Sequence, residues 1–259
     1  MKKLITGNII AFIAILFTSC GCCKKATAGS NVTFYNVPLV CGEAPQIGCG
    51  SKSKPILIGL EKKSDVVNEA WLNRAGTVIA VIWKEGSSSE LRASTTDAVF
   101  KENKMDVTLI SGKEEKGILK DFENKQNWYR GSDVDKLSME EAGVISDRLI
   151  SRVNAKTQLS KEKSDNLKVE FVQVFKNRFT KNYGSGINSN EQKVWEEKKK
   201  QTEEELLAVG KTYLNEAEMI ALKDAIVLGL RPTENESKDV KGCCSPKNSS
   251  DKNCKTINH

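Results

Sequence analysis

Thr77-Val-Ile-Ala-Val-Ile-Trp83 is an almost unbroken apolar run that follows a turn at Arg74-Ala-Gly76. Successive side chains of a strand point to opposite faces, so a strand with no polar alternation has to be central in a sheet or covered on both sides. The rest of the chain must therefore supply neighbours for it. Val32, Phe34, Val37 and Leu39 suggest a first strand, with Pro38 near its end where a missing N–H is tolerated. A glycine-rich loop, Cys41-Gly-Glu-Ala-Pro-Gln-Ile-Gly-Cys-Gly50, leads into a helix with Ser53 as its N-cap, Pro55 in its first turn and Ile56, Leu57 and Leu60 at helical spacing. Residues 69–73 read as a short strand, 90–103 as a second helix, and 106–110 as a last strand alternating at Val107 and Leu109.

That order, βαββαβ, specifies an α+β fold for residues 31–112. It is a ferredoxin-like split unit with two helices on one face of a four-stranded antiparallel sheet. Residues 47–111 also resemble the heavy-metal-associated domain of metallochaperones and metal pumps. The segments that carry the likeness are Ile47-Gly-Cys49 before a helix, Val67-Asn-Glu-Ala-Trp-Leu-Asn73, and Gly76-Thr-Val-Ile-Ala-Val-Ile-Trp83. The family's metal motif is C-x-x-C, and the position three after Cys49 is Lys52.

The amino terminus carries a different signal. Met1-Lys2-Lys3, an apolar stretch over 9–17 too short to span a bilayer, and Thr18-Ser19-Cys20 have the form of a cleaved export segment. Thr18-Ser19-Cys20 resembles the lipobox of bacterial lipoproteins. The resemblance implies removal of residues 1–19, a diacylglycerol thioether on Cys20 with an acylated amine, and a membrane-anchored cell-envelope protein. Gly21 in place of Asp points to the outer membrane of a Gram-negative host. Residues 20–30 suit a flexible tether.

Outside the cytoplasm, thiols become disulfides or metal ligands. Lipidation of Cys20 leaves seven of the eight cysteines, and an odd number cannot pair completely within one chain. Cys41 and Cys49 flank one loop at one end of the expected sheet. They read either as a disulfide, whose loop of about nine residues would contribute roughly 2–3 kcal/mol, or as two thiolates for a soft cation such as Cu, Hg or Zn. Lys52, Lys54 and a helix start beside Cys49 are expected to stabilise its thiolate. Cys243 and Cys244 are adjacent, cannot bridge each other comfortably, and are further candidate soft-metal ligands.

Residues 113–231 read as a small antiparallel helical domain. Ser138 with Glu141 is expected to form a capping box opening a helix whose apolar stripe is Ala142, Ile145, Leu149 and Val153. Ser160 caps a second helix bearing Leu167, Phe171, Phe175 and Phe179, which Gly184-Ser-Gly186 ends; residues 191–211 form a third, and Asn215 with Glu218 caps a fourth. The starts Leu137-Ser138-Met139-Glu140 and Leu159-Ser160-Lys161-Glu162 faintly resemble those of periplasmic stress chaperones related to zinc-resistance proteins. Residues 232–259 are polar and expected to be disordered.

Several functions are disfavoured. His259 is the only histidine, so a Ser-His-Asp triad, a Cys-His pair or a His-rich zinc site in a packed domain is close to excluded. Gly50 is followed by Ser51 rather than the Lys of a phosphate loop. Without Lys2 and Lys3 the chain has 38 basic and 34 acidic residues, interspersed and with no basic-aromatic interleaving, so nucleic acid is not the implied partner. The expectation is a non-enzyme. It binds a soft metal, or it is a structural lipoprotein whose helical domain holds an envelope protein partner.

Overall fold

The computed structural model describes residues 31–180 and 191–237. The expected signal segment, Cys20, the tether with Cys22 and Cys23, Gly184-Ser-Gly186, Cys243, Cys244 and Cys254 lie outside them.

The fold is mixed α and β, built on a five-stranded antiparallel sheet of order β4-β1-β3-β2-β5. Strand β1 is Val32–Asn36, β2 is Val67–Asn73, β3 is Val78–Trp83, β4 is Thr108–Leu109 and β5 is Trp128–Arg130. The apolar run of β3 lies at the middle of this sheet, between β1 (Phe34 opposite Ala80) and β2 (Ala70 opposite Val81). Its Ile79, Val81 and Trp83 enter one apolar cluster, and its Val78, Ala80 and Ile82 another.

Helix α1, Gly50–Glu61, and helix α2, Ser89–Glu102, cover the first face through Ile56, Leu57, Leu60, Val99 and Phe100. Helix α3, Gly112–Glu123, covers the other face. Phe122 stands edge-on to Phe34 at 5.7 Å and to Trp128 at 4.9 Å between ring centroids, and Trp128 Nε1–H donates to Asp121 at 3.1 Å. Such edge contacts add about 0.5–1.5 kcal/mol each to the area they bury.

The sheet thus differs from the four-stranded one expected. A fifth strand pairs along β2, with Trp71 opposite Arg130 and Asn73 opposite Trp128. The boundary expected at residues 112–113 falls inside this packing, because α3 and β5 both belong to the sheet. An apolar central strand requires a cover on each side, and α3 is the second cover. The last strand is also shorter than 106–110, at two residues.

The remaining helices are α4, Asp135–Thr157, α5, Lys161–Thr180, α6, Glu191–Tyr213, and α7, Glu216–Val227. Their apolar cluster is built from the expected stripes: Ala142, Ile145, Leu149 and Val153 against Leu167, Phe171, Phe175 and Phe179, closed by Leu206, Leu222 and Ile226. The Asn215–Glu218 capping box is present, with Glu218 N–H donating to Asn215 Oδ1 at 2.9 Å and Asn215 N–H to Glu218 Oε2 at 2.8 Å. Ser160 Oγ accepts from Lys163 N–H at 3.3 Å, as a cap should.

Two expected caps are not caps. Helix α1 begins at Gly50 with Cys49 as N-cap, and Ser53 lies within it, its hydroxyl donating back to the Cys49 carbonyl at 2.6 Å. Pro55 is inside the helix and costs it one ladder bond. Helix α4 begins at Asp135, which places Ser138 and Glu141 on its buried side.

Helices α1 and α4 meet where α1 has no side chain. A Cβ on Gly50 would overlap Ser138 Oγ and sit 2.7 Å from the Val134 carbonyl oxygen. Gly50→Ala should destabilise the protein by roughly 1–3 kcal/mol through overpacking, although alanine alone would favour the helix by up to about 1 kcal/mol. Denaturant unfolding of the two proteins checks this. A variant as stable as the wild type would mean that the helices do not cross so closely.

Candidate functional site

Beyond β1 the chain folds back on itself. Cys41 N–H donates to the Ile47 carbonyl at 2.8 Å and Cys49 N–H to the Leu39 carbonyl at 2.7 Å, with Val40 opposite Gly48 between them. Alternation then puts Leu39, Cys41, Ile47 and Cys49 on one face, and all four are buried while Val40 is exposed. Gly48 makes the return possible, because a Cβ there would sit 2.8 Å from the Gly76 Cα.

Cys41 and Cys49 are free thiols. They are diagonal neighbours, and such pairs stand roughly 7–8 Å apart between Cα atoms, beyond the ~4.4–6.8 Å that a disulfide spans. The pairing geometry therefore works against a Cys41–Cys49 bridge. Two metal–sulfur bonds of roughly 2.3 Å need sulfurs about 4.6 Å apart, a separation that diagonal cysteines can reach.

The third group is Glu141. Cys41 Sγ–H donates to Glu141 Oε1 at 2.9 Å, and Cys41 Sγ accepts from the N–H groups of Glu43 and Ala44, each at 3.3 Å. Cys49 Sγ lies 3.3 Å from Ser51 Oγ. Glu141 is 3% exposed, and its Oε2, like Ser138 Oγ, has no hydrogen-bond partner among the described residues. Burial raises the Glu141 carboxyl to about 7, with Glu43 adding to the rise and the Cys41 hydrogen bond, Arg178 and Lys52 opposing it.

The thiols respond to the same surroundings. Burial, and then the negative charge of Glu141, raise both Cys41 and Cys49 above the usual thiol range. The expected stabilisation of a Cys49 thiolate by Lys52 and the helix start is present but outweighed: Lys52 and the Ser51 hydrogen bond lower the value by less than burial and Glu141 raise it. Both sulfurs are thus held protonated until something stronger than a proton competes for them.

These groups form one wall of a cleft of about 480 Å³. Arg178 and Phe179 of α5, Thr202 and Leu206 of α6, and Ile226 with the chain from Leu228 to Arg231 also line it. Arg178 approaches Glu43 Oε1 at 3.6 Å. Among the described residues no group of three or more His, Cys, Asp or Glu is placed to hold a metal ion, so the soft donors available there are the two sulfurs. Comparison of the chain with protein-family models, curated proteins and solved structures finds no match.

Glu141 is the site residue that the sequence reading missed, having been assigned to a cap. Its spacing held the signal, since Ser138 and Glu141 lie one turn before Ala142 and Ile145 on the same stripe.

The raised Glu141 carboxyl makes stability depend on pH. Between its unfolded value near 4.5 and about 7 the folded state binds the extra proton, so the contribution is full below 4.5 and is lost as pH rises through 7. At roughly 1.4 kcal/mol per unit this amounts to on the order of 3 kcal/mol. Glu141→Gln should flatten that fall, as read from denaturant midpoints at pH 5 and pH 8. An unchanged slope would show that the carboxyl titrates normally.

Proposed function

We propose that this chain is a lipid-anchored, non-catalytic envelope protein, attached through Cys20, which captures a soft cation between the sulfurs of Cys41 and Cys49. The observation that carries the reading is the pair of unbridged thiols on one face of a folded-back loop, opening on a cleft. Thiolate sulfur selects soft ions over Mg and Ca. Binding exchanges each S–H proton for a metal–sulfur bond and releases the proton to solvent. Burial makes that exchange demanding, so only a strongly thiophilic ion such as Cu(I) or Hg(II), ahead of Zn(II), would complete it.

The arrangement of β1 to β4 with α1 and α2 supports the ferredoxin-like reading, since the order β4-β1-β3-β2 with antiparallel neighbours is that of a split βαββαβ unit, here extended by β5. No helix among the described residues is long and apolar enough to cross a membrane. We place attachment on the acyl chains of Cys20, with the outer membrane as the proposed location.

A second reading, a structural lipoprotein that holds an envelope protein partner, is favoured by the exposed Val40 and Leu228 at the rim of the same cleft.

Anaerobic titration of the reduced full chain with Cu(I), in competition with a chromophoric chelator, tests the first reading. Replacing Cys41 and Cys49 by Ser should remove one bound ion, or weaken it at least tenfold, about 1.4 kcal/mol. Unchanged stoichiometry and affinity, or peptide mapping that finds Cys41 and Cys49 quantitatively bridged in metal-free protein, would end it.

A further inference from the structure

The side of the cleft that follows α7 is held from behind by two arginines of α4, one turn apart. Arg148 Nη1–H donates to the Glu43 carbonyl at 2.7 Å and to the Leu230 carbonyl at 2.5 Å. Arg152 is buried, donates to the carbonyls of Gly229 at 2.5 Å and Arg231 at 2.8 Å, and grips Glu236 through two 2.8 Å bonds. Glu236 in turn accepts from Thr233 N–H at 2.7 Å, and the Arg152 guanidinium holds its carboxyl down at about 2. A buried guanidinium is tolerated only when its donors are satisfied, and here most of the acceptors come from residues 225–236. The segment from 232 to 237, expected to be disordered, is therefore fixed, with Ser237 N–H donating to the Thr233 carbonyl at 2.9 Å. The same bonds set Leu230 and Arg231 in place where they line the cleft.

The cleft has two kinds of surface. Phe179, Leu206 and Ile226 are buried along it, and Leu230 and the exposed Leu228 continue the apolar side outward. Its charged groups gather nearer the Cys41 loop. The carboxylates of Glu43 and Glu203 each have a cation at hand, Arg178 at 3.6 Å and Lys199 at 3.7 Å, and the Glu141 carboxyl takes up the Cys41 thiol. Lys52 and Arg231 are exposed at the rim, and neither makes an ion pair among the described residues. The Arg231 guanidinium lies 3.4 Å from where a Cβ on Gly42 would be, next to Cys41. Lys52 is close enough to Glu141 and Cys49 for its charge to act on both. Two cations thus stand at the loop end of a cleft whose other side is apolar.

We propose that this cleft binds a small organic carboxylate with an apolar body, of the kind a short fatty acid represents. The carboxylate sits at Lys52 and Arg231, and the body lies along Phe179, Leu206 and Leu230. A guanidinium meets a carboxylate through paired N–H donors, and an ammonium adds a point charge. The volume of about 480 Å³ falls within the roughly 300–1,000 Å³ of small-molecule sites, which combine apolar walls with a few placed polar groups. A wall already fixed by Arg148 and Arg152 spares the ligand the cost of ordering it. Neither sulfur takes part, so the proposal stands apart from the soft-cation reading.

Calorimetric titration of the full chain with sodium octanoate tests it, with acetate as the head alone and 1-octanol as the body alone. Octanoate should bind saturably, one molecule per chain, and acetate and octanol about tenfold more weakly or worse. The double variant Lys52→Gln, Arg231→Gln should weaken octanoate by about tenfold. Lys223→Gln, at an exposed lysine of α7 outside the cleft, should leave it unchanged. All three side chains are exposed, and circular dichroism reports that the fold is kept. Octanoate should also shift the methyl resonances of Leu206 and Leu230. No saturable binding, octanoate held as tightly by the double variant as by the wild type, equal weakening by Lys223→Gln, or octanol matching octanoate would overturn the proposal. So would methyl shifts confined to Ile220 and Val227, which are exposed on α7 away from the cleft.

Discussion

The site rests on the approach of α1 to α4 at Gly50. Because no side chain stands between the first turn of α1 and Ser138, α4 runs close enough for Glu141 to reach the Cys41 sulfur. A bulkier residue there would separate the sheet's first helix from α4, and the carboxyl and the thiols would part with it. One missing Cβ thereby couples the α1–α2 side of the sheet and the helical cluster to the chemistry at their seam. The same α4 carries Arg148 and Arg152, so the helix that holds the thiols' carboxyl partner also fixes the chain that frames the cleft.

The electrostatics of the seam run against charge. Glu141, Cys41 and Cys49 are each pushed by burial towards their neutral forms. Neutral groups are the cheapest that this loop can bury, and the hydrogen bond between Cys41 and Glu141 satisfies a buried donor and a buried acceptor. On the soft-cation reading proposed above, a ligand that displaces the protons must bring enough bond energy to charge a buried site.

Much of this was legible in the chain. The apolar run of β3 required a central strand, and the stripes of α4 and α5 told which residues face inward. What was not legible has physical causes. Trp128 and Tyr129 form only three residues of strand with Arg130, and so short a strand is defined by the β2 edge it joins rather than by its own pattern. Ser138-Met-Glu-Glu141 carries the letters of a capping box, whereas the helix's earlier start at Asp135 has no side-chain cap to announce it. Ser53 misled for a related reason: Pro55 reads as a first-turn residue, yet here the helix tolerates it in its second turn. The fixing of residues 232–237 depends on a guanidinium some eighty positions earlier, which no window of sequence reveals.

The two outermost strands have a bearing on how copies behave when crowded. Strand β4 has two residues and β5 three, and the flanks they present offer few free N–H and C=O groups to a neighbouring chain. Long bare flanks template sheet-to-sheet stacking and fibril growth. Stubs of this size, one followed by α3 and the other by α4, deny a second molecule the length of ladder it would need. Molecules packed side by side can therefore stay separate, with Arg130 the one charged side chain on those two strands.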